Sequence, residues 1–115
     1  MNPARSVERS GELDLSAIII TRNEEGNIED VIRAVLAALD RARALGALSN
    51  YEVILVDSAS TDQTVNRARH FPIHIVRLRQ WWPLSAGAGR ATGCRYARGR
   101  IFLFVDGDYI IEENW

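Results

Sequence analysis

One cysteine, Cys94, is the only thiol in the 115-residue chain. Neither an intramolecular disulfide nor a thiolate cage for zinc can therefore form, which suits a cytosolic setting. No apolar stretch approaches the ~20 residues needed to span a bilayer. Residues 1–12, MNPARSVERSGE, lack the apolar core of a signal peptide. Excess positive charge is missing too: the net charge is -1 and the pI about 6.1, which argues against nucleic acid or an anionic membrane surface as partner. There is no low-complexity segment and no interdomain linker. What remains is 47% hydrophobic and 25% charged, the composition of one globular domain with a polar, disordered N-terminus over residues 1–12.

Apolar residues then come in blocks. Residues 15–20, LSAIII, form a continuous, β-branched run, as expected of a strand covered on both faces. Ile28, Val31, Ile32, Val35, Leu36, Leu39, Ala42 and Leu45 recur at three- and four-residue spacing and predict a helix. Asn23 is its expected cap, Glu24 and Glu25 its acidic first turn and Gly46 its stop. A second strand covers residues 51–56 and ends at Asp57. A short helix follows over about residues 62–69, then a third strand over residues 73–76 beyond Pro72. A third helix opens near Ser85 and is closed by Gly99, and residues 101–105, IFLFV, make a fourth strand that runs into Asp106. The order β-α-β-α-β-α-β with short connections predicts an α/β fold, a mostly parallel Rossmann-like sheet flanked by helices.

In open α/β sheets ligands collect outside the carboxyl ends of the strands. Residues 21–24, 57–60 and 106–108 should therefore face one crevice. Asp106 and Asp108 are separated by one glycine. Strand alternation would put both carboxylates on one side, where they repel unless a cation intervenes. Mg²⁺ and Mn²⁺ prefer such oxygen ligands together with substrate phosphates, and Gly107 would leave room for a ligand near the backbone. The competing reading is a solvated Asp-Gly turn. Asp57 reads either as a cap for the next helix or as an acceptor for a base or ribose. Ser58, Ser60 and Thr61 read as turn and capping hydroxyls, and His70 and His74 as structural or surface residues. The glycines of residues 87–93 with Arg90 suit either an anion-facing helix start or close helix-to-sheet packing. They do not make a dinucleotide fingerprint, because strand one is followed by TRNE. Trp81 and Trp82 are either a sugar platform or packed loop aromatics, and Cys94 is a small residue on a helix face.

Taken together, IIITRNEEGNI, VILVDSASTDQT, SAGAGRATGCRYARG and IFLFVDGD, in this order, resemble the N-terminal part of family-2, GT-A-fold glycosyltransferases. The resemblance covers roughly residues 15–115. It implies a nucleotide-sugar-binding domain over residues 13–115, truncated at its C-terminus, in an inverting glycosyltransferase. It places Thr21, Asn23 and Glu24 in the first nucleotide-contacting loop and Asp57 at the base, commonly uracil. Arg90 falls in the glycine-rich segment near the donor, where Gly89 and Ala91 depart from the usual residues. Asp106 and Asp108 become a DXD motif, Asp106 at the ribose and metal and Asp108 at a Mn²⁺ or Mg²⁺ bridging the diphosphate. The implied partner is a nucleotide-diphosphate sugar, with UDP-sugar favoured. The acceptor is unidentified, and the implied location is the cytoplasm or the cytoplasmic face of a membrane. The general base is expected beyond Trp115, since Glu112 and Glu113 follow the motif too closely. A truncated or split product, with strand four left as an exposed apolar edge, is therefore expected. The alternatives are a non-catalytic donor-binding module needing a partner chain or oligomer, and a nucleotidyltransferase, which would want a basic glycine-rich loop after strand one.

Overall fold

The computed structural model describes residues 13–79 and 86–108. The expectations for residues 1–12, Trp81, Trp82, Glu112 and Glu113 lie outside these. Four strands, β1 (Leu13–Thr21), β2 (Tyr51–Ser58), β3 (His74–Leu78) and β4 (Gly99–Asp106), alternate with α1 (Ile28–Ala44), α2 (Thr64–Ala68) and α3 (Ala86–Tyr96). All strand pairs are parallel and the sheet order is β3-β2-β1-β4. The chain thus builds outward from β1 to β3 and then returns to the opposite edge of β1. That reversal is a topological switch point, where open α/β sheets form their ligand crevice.

The continuous apolar runs are explained by helices on both faces. Ala17, Ile19, Val53 and Leu55 lie in one core cluster with Ile28, Val31, Ile32, Val35 and Leu39 of α1 and Ala68 of α2. Ile18, Ile54 and Val56 form the other cluster, beneath α3. Each such aliphatic side chain contributes about 1.5–3 kcal/mol when fully buried. The small residues of α3 let it settle directly on β1. A Cβ on Gly89 would stand 2.9 Å from Ile20 Cγ2, and one on Gly93 would run into Ile18 Cγ2. Close packing is therefore what these two glycines do.

Several expectations need correction. α1 has Asn27 at its N-cap position, without a side-chain cap bond, and its acidic first turn is Glu29 and Asp30, because Asn23 takes a left-handed conformation (φ 53°) and its Oδ1 accepts from Thr61 N–H instead of from a helix amide. Leu45 falls on the cap and is exposed. Gly46 does end the helix. With φ 81°, it lets its own N–H reach the Arg43 carbonyl and that of Ala47 the Ala42 carbonyl, a Schellman closure. Gly99 is the first residue of β4 rather than a helix stop, and a Cβ there would lie 2.5 Å from the Ser16 nitrogen. Among the described residues β4 is an edge strand, with Ile101, Phe102 and Phe104 exposed.

Gly93→Ala should lower unfolding free energy by about 1–3 kcal/mol, the usual cost of overpacking a core. Gly26→Ala, where a Cβ meets nothing within 4 Å among the described residues, should change it by less than about 0.5 kcal/mol. Chemical denaturation of the two variants checks the pair. Equal losses would place α3 farther from β1 than described.

Candidate functional site

Three loops meet at the carboxyl end of the sheet. Thr21 is level with Asp57 across β1 and β2, and Ile20 is level with Asp106 across β1 and β4. Strand alternation assigns Thr21 and Asp57 to the face that α1 covers, and Asp106, like Phe104, to the face of α3. Asp57 and Asp106 thus approach the crevice from opposite sides of the sheet. The strand ends at Asp106, and Gly107 and Asp108 turn away from it. The two carboxylates of the triplet are therefore related by a turn and not by the alternation expected above. Both residues are exposed.

The first two loops are laced together. Asn23 N–H donates to Ser60 Oγ at 2.8 Å, Glu24 N–H to Thr64 Oγ1 at 2.8 Å and Glu25 N–H to Asp62 Oδ2 at 3.2 Å. In return Thr61 N–H donates to Asn23 Oδ1 at 2.8 Å and Gln63 N–H to Glu25 Oε1 at 3.0 Å. The hydroxyl of Ser60 serves as a turn and capping group, as the sequence suggests, and that of Thr64, which the sequence does not single out, acts alongside it. Partial burial works to raise the Asp62 carboxyl, but hydrogen bonds from Thr64, Glu25 and its own backbone outweigh it and hold the group below its ordinary value. One residue in each loop, Asn23 and Ala59 (φ 57°), is left-handed. Asparagine tolerates this, whereas Ala59 carries about 1–2 kcal/mol of steric cost. Strained backbone of this kind concentrates at binding sites.

Asp57 is fully buried and caps its own loop: Oδ2 accepts from Ser60 N–H at 2.9 Å and Oδ1 from Ser60 Oγ at 2.5 Å. Arg77 of β3, half-exposed, lies 3.9 Å from Oδ2. The sequence marks Arg77 only by its place at the end of a short strand. Thr21 is buried, and its Oγ1 has no hydrogen-bond partner among the described residues. The neighbouring space is taken by Gly107, where a Cβ would fall 2.6 Å from that oxygen. The missing side chain of Gly107 therefore makes room for Thr21, a neighbour the sequence does not reveal. Glu24 is half-buried and accepts from Asn27 Nδ2 at 3.1 Å. Arg90 is exposed on the second turn of α3 and Cys94 is exposed farther along it.

No group of three or more His, Cys, Asp or Glu residues among the described ones forms a ready cage for a metal. Two exposed carboxylates in an oxygen-only site fit a hard divalent ion that completes its shell with phosphate oxygens and water. A cavity of about 350 Å³ lies at the other end of the sheet, between Leu48–Ser49 and Arg100–Ile101, away from these groups.

Residues 16–115 match Glycosyl transferase family 2. The chain belongs to this family. It is 33% identical over 112 residues to a dolichyl-phosphate beta-glucosyltransferase of Drosophila melanogaster, covering 90% of this chain and 33% of that protein. It is 30% identical over 100 residues to a dolichol-phosphate mannosyltransferase of Pyrococcus furiosus, covering 84% and 26%. Among solved structures, glucosyl-3-phosphoglycerate synthase of Mycobacterium tuberculosis with UDP superposes with a TM-score of 0.67 at 28% identity, covering 85% of this chain and 35% of that one. A mannosyltransferase of Pyrobaculum calidifontis with GDP-Man and Mn²⁺ gives 0.66 at 26% identity, covering 86% and 28%. The fold is thus the GT-A, Rossmann-like one, and the chain spans about a third of the length of its curated relatives. Among the described residues no helix is long and apolar enough to cross a membrane.

Asp62→Asn should lower the urea midpoint near neutral pH, because it removes the ionised acceptor that Thr64 and Glu25 use. A carboxyl with a depressed folded-state pKa stabilises only while ionised. The gap between the two proteins should therefore close as pH falls through 3.8 toward the lower folded-state value. A gap unchanged down to about pH 3 would remove Asp62 from the loop lacing.

Proposed function

We propose that this chain supplies the donor half of a glycosyltransferase, holding a nucleotide-diphosphate sugar across the carboxyl ends of β1, β2 and β4. The observation that carries this is the convergence of three polar loops at the switch point of a GT-A sheet. The UDP and GDP-Man bound in the neighbouring structures support it. Thr21, Asn23 and Glu24 form one wall, and the Asp57–Ser60 turn forms the next. A base reaches the Asp57 carboxylate from the side of Arg77, whose exposed guanidinium is the partner a ligand can displace. Arg90 faces the donor from α3.

Asp106 and Asp108 would hold a divalent ion, Asp106 also meeting the ribose, and Mn²⁺ in neighbouring structures supports that metal class. When bound, such an ion supplies Lewis-acid neutralisation of the departing nucleoside diphosphate. The chain's own part is to orient the donor. Asp57 and the lacing of the first two loops fix the nucleotide, and the exposed carboxylates keep the diphosphate end beside β4. None of the described residues is assigned as the base that deprotonates the acceptor. A UDP-sugar is the favoured donor, with a cytoplasmic or membrane-face setting. The same donor site also fits a binding module that transfers sugar only with a partner chain.

Calorimetry with UDP should reveal binding that Mn²⁺ tightens by about tenfold or more, equivalent to ~1.4 kcal/mol. Asp108→Ala should abolish that metal-dependent gain while leaving a weaker metal-free affinity. Identical affinities with Mn²⁺ and with chelator, or a gain that survives Asp108→Ala, would refute the assignment.

A further inference from the structure

β4 carries one proposed metal ligand, Asp106, and leads into the turn that carries the other, Asp108, yet little in its own sequence fixes where it lies along β1. Residues 101–105, IFLFV, are apolar on both faces, so a slip of one residue exchanges apolar for apolar. Hydrophobic patterning, which normally sets register, is weak here. Such a slip would move Asp106 by about 3.3 Å along the sheet.

Polar and steric pins act at the two ends of the strand. At the far end from the site, Gly99 N–H donates to Ser16 Oγ at 2.8 Å, and that hydroxyl donates to Glu52 Oε2 at 2.6 Å. Arg98 N–H donates to the same carboxylate oxygen at 2.7 Å. Glu52 is buried, with the Arg98 Nε at 3.8 Å and His74 Nε2 at 3.9 Å from its other oxygen. At the near end Gly107 N–H donates to the Ile20 carbonyl at 2.7 Å. Both ends are also too tight for a side chain, against Ser16 at Gly99 and against Thr21 at Gly107. A one-residue slip in either direction would bring Arg98 or Arg100 against Ser16, and Asp106 or Asp108 against Thr21.

We infer that Glu52, acting through Ser16, is a positioning residue: it fixes the register of β4 and so sets the level at which Asp106 and Asp108 meet the donor. Its carboxylate sits on β2, beyond β1 from the strand it controls, at the opposite end of the sheet from the chemistry. The functional part of this inference rests on the donor-site reading. The structural part does not.

The test uses the full chain with Ser16→Ala, Glu52→Ala and Glu52→Gln, read by amide hydrogen exchange and by Mn²⁺–UDP affinity per folded molecule. Ser16→Ala and Glu52→Ala should speed exchange at residues 101–106 about tenfold relative to β2, the scale of losing one or two buried hydrogen bonds. Affinity should fall by a similar factor. Glu52→Gln keeps an acceptor oxygen and should restore both readouts to within about threefold. Exchange that rises equally throughout the sheet, with affinity per folded molecule unchanged, would overturn the inference and leave Glu52 an ordinary stabilising residue. Should wild-type chain not bind UDP, the donor reading fails while the exchange comparison still decides the register.

Discussion

The pairing of β1 with β2 on one edge and β4 on the other is the constraint on which the rest of the molecule depends. β1 carries Ile18 and Ile19, both fully buried and on opposite faces, so it is held by α3 from one side and by α1 from the other. Its last residues then act as a ruler. Thr21 is level with Asp57, Ile20 with Asp106, and the Ile20 carbonyl accepts from Gly107. The chemistry at the carboxyl end is positioned by these few backbone relations more than by contacts among the acidic groups themselves.

Much of this was legible in the sequence because the signals were redundant. Four apolar, β-branched runs separated by helical spacing admit few architectures, and short α-helical crossovers force parallel strands. The stripe of α1 was readable residue by residue until Leu45, where the helix ends and the periodicity outlives the burial. The acidic strand ends could be found because Val56-Asp57 and Val105-Asp106 break apolar runs abruptly.

Roles that depend on tertiary neighbours were not legible. Asn23 resembles a helix cap in sequence, but it serves a second loop that is 37 residues away in the chain. Gly99 looks like a helix stop because it follows one. Its actual constraint is the backbone of Ser16, which no local pattern reveals. Gly107 similarly looks like clearance for a ligand, and its close approach to Thr21 shows only in the fold. Glu52 gave no warning at all. A lone charged residue inside an apolar strand reads as a surface position until the partners from β1 and the start of β4 are seen to converge on it.

The central claim is that a nucleotide binds at the carboxyl end of this sheet, across β1 and its two neighbours. Amide chemical-shift mapping of the full chain with UDP and Mg²⁺ tests it most directly. Perturbed amides are expected at residues 21–24, 57–61 and 106–108, and undisturbed ones at residues 46–49 and 98–100. Perturbations confined to the second set, around the cavity at the opposite end, would contradict it.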